Sequence, residues 1–218
     1  MTTSNPEVRI NFSWLFYDDV CKQLDKVQDW DLPSGEKCEE WTDSYRGEWA
    51  KREDMILTAM QDITGLKFYR SVIDVTTAPG VIPKSEPLIL SFHGGPKLTV
   101  ETLTHELIHV LLTDNTTLSI YGNYRDKSLK DQWVKLFGHK DDFNALVHIP
   151  VHAIHKKIWI DVLNDPEGPS RDIVRMKKLN ATSYLKSWDY VEEHGYEQII
   201  NQLKTSYVEI AKELEKKS

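Results

Sequence analysis

The order of segments predicts an α+β fold, mostly helical with a small mixed sheet. Two observations carry this. Apolar residues recur at helical spacing through residues 12–64 and again from about 128 to the C-terminus. Between them, residues 66–92 hold two runs rich in β-branched and aromatic residues, "LKFYRSVIDVTTA" and "LILSF". Helices, then a few strands, then helices favour a small sheet with helices packed around it. The chain of 218 residues, 40% hydrophobic and 28% charged, is long enough to bury a substantial core in one domain.

Taken in order, residues 1 to about 10 read as a loose tail, and 12–30 as a helix with Trp14, Phe16 and Tyr17. "DLPSGEK" breaks the chain. One long helix is expected over 39–64, striped by Trp41, Tyr45, Trp49, Ile56, Met60 and Ile63 and stopped by Gly65. Residues 66–78 and 88–92 are the strands. A helix over 99–113 comes next, with Thr99 as N-cap and Glu101 in the first turn. "DNTTLSIYGNYRDK" is a polar loop, a short helix covers 128–137, and another begins near 144 or 150 and runs to 163. After "NDPEGPS" the chain is helical, interrupted near Gly195 and ending in a piece with Ile199, Ile200, Leu203, Tyr207 and Ile210 on one face. The charge-rich "KREDMILTAMQD" and "KELEKKS" read as solvated helix faces. The expected organisation is an N-terminal helical segment, 1–38, and one compact unit, 39–218.

Net charge of −7 argues against broad attraction to nucleic acid or anionic membrane. No apolar run approaches the ~18 residues that span a bilayer, and no basic stretch precedes an apolar run at the N-terminus, so a cytoplasmic protein is expected. Cys21 and Cys38 are too few for a disulfide scaffold and lack zinc-finger spacing. A reduced pair is expected. Either thiol in an N-terminal segment could also cap a metal.

The chemistry concentrates in "THELIHVLLTDN", residues 104–115, where His105, Glu106 and His109 spell H-E-x-x-H. On a helix, positions i and i+4 lie about 40° apart, so the two imidazoles point the same way and can share one tetrahedral metal. Glu106 would sit beside the metal and take a proton from its bound water, whose pKa zinc lowers. Val100, Leu103, Leu107, Val110 and Leu111 form an apolar stripe. The helix is therefore expected to bury one face while the motif face lines a cleft.

A third protein ligand is needed. Asn115 stands six residues after His109, where the compact three-histidine pattern has its third histidine, so the ligand must come from elsewhere. In "NALVHIPVHAIHKK", residues 144–157, His148, His152 and His155 fall within about 60° on a helical wheel. Pro150 disfavours helix at Ile149, which makes His152 the residue most surely helical. His152 is narrowly favoured as ligand, with His148 beside it as a partner or a donor to a substrate oxyanion. The exchanged assignment is almost equal, and His155 is third. Tyr121 and Tyr124 are further candidate donors, and His93 reads as a loop histidine.

On these residues the chain resembles a minimal zincin-type metallopeptidase, with a gluzincin-like order of short sheet, H-E-x-x-H helix and ligand helix over roughly residues 66–163. In those families the second helix commonly supplies a glutamate, whereas this chain offers histidines. The resemblance implies zinc as cofactor, peptide-bond hydrolysis of a peptide or protein substrate with Glu106 as base, and "LILSFHGG" as an exposed edge strand that aligns an extended substrate. A catalytically weak regulator on the same scaffold, and a purely structural zinc site, are the other functions this pattern allows. The sequence leaves oligomeric state open.

Overall fold

The structure is a computed structural model that describes residues 5–24, 33–92, 95–118 and 127–215. Its elements are β1 (Glu7–Phe12), α1 (Trp14–Leu24), α2 (Gly35–Ala50), α3 (Glu53–Thr64), β2 (Val72–Ala78), β3 (Lys84–Ser85) and β4 (Leu88–Ser91). Next come α4 (Gly95–Thr113), α5 (Lys127–Phe137), α6 (Phe143–Lys157), a π-helical turn (Ile158–Val162), α7 (Gly168–Lys178), α8 (Thr182–His194) and α9 (Tyr196–Glu215). The class is α+β, with one mixed sheet in the order β1-β2-β4-β3. No described helix is long and apolar enough to cross a membrane.

The chain clusters into two compact units, one of Met1–Asp54 with Arg70–Val110, the other of Met55–Tyr69 with Leu111–Ser218. Two of the three divisions fall inside continuous helices, α3 and α4, and the third lies between Tyr69 and Arg70.

The first unit is built on the sheet. The expected tail is in fact β1: Val8 and Ile10 are buried while Glu7, Arg9 and Asn11 are exposed, the alternation of a half-buried strand. It pairs in parallel with β2, Glu7 against Val72 through Phe12 against Thr77, and β2 is shorter than the strand expected over 66–78. β2 pairs in parallel with β4, and β3 pairs antiparallel with β4, Lys84 against Ile89 and Ser85 against Leu88. β4 is therefore an interior strand, not the exposed edge expected of it. The edge beside it is the two-residue β3.

Ser34 caps α2 by accepting from the Lys37 amide at 3.3 Å. The expected long helix is two helices. Lys51 and Arg52 form a turn in which the Arg52 amide donates to Trp49 O at 2.8 Å, and α3 starts again at Glu53. The Glu53 carboxylate accepts from the Val8 amide at 3.0 Å, which fixes the start of α3 to β1. Helix α2 lies on β1, where Arg46 Nε donates to Ile10 O at 2.6 Å. Thr42 and Thr77 share a buried hydrogen bond of 2.7 Å between α2 and β2. The Phe92 ring lies 5.5 Å from that of Trp41 and 5.7 Å from that of Tyr45. Cys38 is buried, and burial pushes its thiol up to about 11, so at neutral pH it is a protonated thiol.

The second unit is helical around α6, which packs on α8 and α9, while α5 packs on α9 and α7 on α8. Ile199, Ile200, Leu203, Tyr207 and Ile210 of α9 are all buried, as their spacing predicts. Gly65 ends α3 with φ +73°, a backbone conformation that glycine adopts without strain. Phe68 forms an isolated antiparallel bridge with Asn115.

Candidate metal centre

Helix α4 begins at Gly95, a turn earlier than expected. Pro96 occupies its first turn, where a missing amide hydrogen costs nothing. Thr99 is therefore inside the helix and not its cap, and its hydroxyl donates to Gly95 O at 3.1 Å. Glu101 lies in the second turn. Every residue from Leu103 to Asn115 is buried, so the expected cleft-lining face is enclosed along with the apolar one.

Within α4, His105 Nε2 and His109 Nε2 are 3.2 Å apart, with ring centroids at 4.9 Å and planes at 70°. Two nitrogens at zinc–nitrogen bond lengths of about 2.0–2.1 Å and a tetrahedral angle stand about 3.3–3.4 Å apart. The helix thus holds the pair at the spacing that a shared metal requires. Glu106, one residue on from His105, is buried, and burial pushes its carboxyl up to about 8.

Helix α6 starts at Phe143, capped by Asp142, whose carboxylate accepts from the Ala145 amide at 3.1 Å. Lys186 Nζ at 2.8 Å and Ser183 Oγ at 3.2 Å also donate to it, and together these donors pull the Asp142 carboxyl down to about 2. Pro150 does not start the helix but sits inside it, removing one rung. His148 is consequently helical, and its Nδ1 lies 2.6 Å from Asn144 O one turn back. A carbonyl oxygen only accepts, so Nδ1 carries the hydrogen and Nε2 the lone pair, the tautomer a metal ligand needs. Burial pulls the His148 ring down to about 4, which keeps it neutral at physiological pH.

The ligand atoms of His105, His109 and His148 all lie within 4.8 Å of one another, and all three residues are buried. Three buried imidazoles are thus close enough to hold a metal ion, and the donor set suits a borderline cation better than a hard one. His152, narrowly favoured from sequence as the third ligand, is not in this group. Its Nδ1 meets Ser187 Oγ at 3.0 Å, and its ring stacks on Trp188 at 4.3 Å and 10°. His155 stacks on Trp159 at 3.6 Å. One face of α6 therefore splits into one histidine that joins the α4 pair and two that pack. Cys38 and Cys21 do not join the cluster. His93, Tyr121 and Tyr124 lie outside the described residues.

The residue that sequence reasoning missed is Tyr184, on α8, whose ring centroid is 3.9 Å from that of His148. The signal was present: positions 184, 187, 188 and 191 form one helical face, which meets the histidine face of α6.

Comparison with family models, curated proteins and solved structures returned no match.

Proposed function

We propose that this chain is a zinc-dependent hydrolase, most simply a zincin-like peptidase acting on a peptide or protein substrate. The observation that carries the reading is the buried Glu106 carboxyl one residue after the first of three clustered imidazoles. A site built only to hold an ion has no use for that carboxyl. Three protein donors among the described residues match the ligand count of hydrolytic zinc sites. Zinc bound there would supply Lewis acidity, polarising a carbonyl and making water a nucleophile at neutral pH.

The chain's own residues do the rest. His105 and His109 present their Nε2 atoms from one helix face, and His148 presents its own because the Asn144 carbonyl takes the Nδ1 hydrogen. Glu106 accepts a proton from the attacking water and passes it to the departing amine nitrogen. Burial alone holds Glu106 protonated near neutral pH. The Glu106 carboxyl would shift back down beside a cation held by the neighbouring imidazoles, because an opposite charge favours the carboxylate. Metal binding would thereby also switch the base on.

Glu106→Gln tests this. Metal content is measured by mass spectrometry, and turnover on a peptide library. Expected are zinc retention and a fall in turnover of roughly 10²- to 10⁴-fold, the usual contribution of a general base. Unchanged turnover in the variant defeats the proposal.

The deep burial of all three imidazoles favours a second reading, an ion held for stability or for a regulatory, non-hydrolytic role. In that case zinc removal lowers the melting temperature, and the wild type cleaves nothing in the same library.

A further inference from the structure

We infer that Tyr184 positions the imidazole of His148 and thereby sets the affinity of the three-histidine site. The inference rests on the metal reading above and adds a residue that takes no part in coordination.

A metal ligand must hold its lone pair in one direction, and one hydrogen bond does not fix a ring. The bond from His148 Nδ1 to Asn144 O selects the tautomer but does not by itself fix the plane of the ring. Tyr184 fixes that plane. Its ring lies against the His148 ring at a centroid distance of 3.9 Å with planes at 42°, and 5.1 Å from the His152 ring. A half-buried phenol this close behaves as a wall.

The wall is itself braced. Ser187 Oγ donates to Tyr184 O at 2.7 Å, which leaves its oxygen to accept the Nδ1 hydrogen of His152 at 3.0 Å. Trp188 stacks flat on the His152 ring, and its indole Nε1 donates to the Asp172 carboxylate at 2.9 Å. Arg175 pairs with the other Asp172 oxygen at 2.5 Å. The α8 residues 184, 187 and 188 thus grip α6 through two histidines at once. His152 is the fixed post from which α8 is hung, and His148 is the ring that α8 steadies. This gives His152 a use without metal, and it explains two histidines one turn apart of which only one joins the α4 pair.

The test compares wild type, Tyr184→Phe and Tyr184→Ala as full-length chains. Zinc affinity is measured by competition with a chromophoric chelator, and visible absorption is recorded after loading with cobalt(II). Changing a residue that orients a metal ligand typically costs 10- to 100-fold in affinity. Tyr184→Ala is expected to fall in that range and to shift the cobalt bands, with unchanged far-ultraviolet circular dichroism. Tyr184→Phe keeps the ring and is expected to bind within about 3-fold of wild type with wild-type bands. If Tyr184→Ala does not fold, Tyr184→Leu, which restores bulk without a flat face, is read by the same criteria. Wild-type affinity and bands in the Ala or Leu variant overturn the inference. So does a Phe variant as weak as the Ala variant, since the hydroxyl would then be the acting group. A wild type that takes up neither zinc nor cobalt defeats the metal reading itself, an outcome separate from either of these.

Discussion

His148→Ala and His152→Ala should fail in opposite ways. In the first, the metal site loses one of three donors, while α6 keeps the Ser187 and Trp188 contacts that attach it to α8. Because changes that merely disorient a ligand already cost about 10- to 100-fold, deletion of the ligand should cost more than about 100-fold in zinc affinity, or about 2.7 kcal/mol. In the second, all three donors remain, but a fully buried ring disappears from between Ser187 and Trp188. A large-to-small change at such a site costs about 3 kcal/mol, which for a chain of this size is roughly 6–12 °C in Tm. The expected pattern is that His148→Ala loses zinc and keeps most of its metal-free stability, while His152→Ala melts early and binds zinc within about 10-fold of wild type. Chelator competition gives the affinities, and thermal melts in excess chelator give the stabilities. The reverse pattern, with zinc lost only in His152→Ala, refutes the assignment of His148.

Two further outcomes come from packing in the second unit. Burial, with a smaller contribution from the Arg175 charge, pulls His155 down to about 3, against about 6.5 in an unfolded chain. As pH falls, the unfolded chain therefore binds the proton first, so the stability present above pH 6.5 is lost as pH falls toward 3. At pH 5 the loss is about 2 kcal/mol, and urea unfolding of His155→Phe at pH 7 and pH 5 should show a pH dependence smaller by that order. A variant as acid-sensitive as wild type sinks this account. Gly168 faces the buried Trp159 so closely that a Cβ would lie 2.5 Å from the indole Cγ, far inside ordinary contact. Gly168→Ala should destabilise by about 1–3 kcal/mol, read as a lower Tm, and a wild-type melt would show that Trp159 yields at no cost.

Much of this was legible because periodicity is a local property. The α9 face, the stop at Gly65 and the two clustered histidines of α4 are set by spacing alone. The misplaced elements have physical causes. Val8, Ile10 and Phe12 alternate as a strand should, but the polar residues between them gave the segment the look of a tail. The break at Lys51–Arg52 lies among good helix formers, and α3 restarts there because Glu53 reaches the Val8 amide, a contact 45 residues away in sequence. Pro150 pulled the expected start of α6 forward and so favoured His152. The cap at Asp142 overrides it, because a carboxylate accepting from the Ala145 amide starts the helix a full turn before His148. The interior place of β4 depends on a two-residue partner, too short to show any alternation.

The π-helical turn at Ile158–Val162, closed by the Leu163 amide on Ile158 O at 2.9 Å, has a consequence for how this chain can change length. A π turn holds one residue more than an α turn, and every helical residue rotates the downstream chain by about 100°. Loss of a single residue anywhere from His148 to His155 would swing part of the histidine face out of line. Loss of one residue within Ile158–Val162 would instead tighten the turn to α and leave all three histidines in phase with one another. The turn works as a phase joint: it keeps the histidine register of α6 separate from that of the segment leading to Gly168. Single-residue gaps among proteins of this architecture should therefore collect at this turn and be missing from the helix before it.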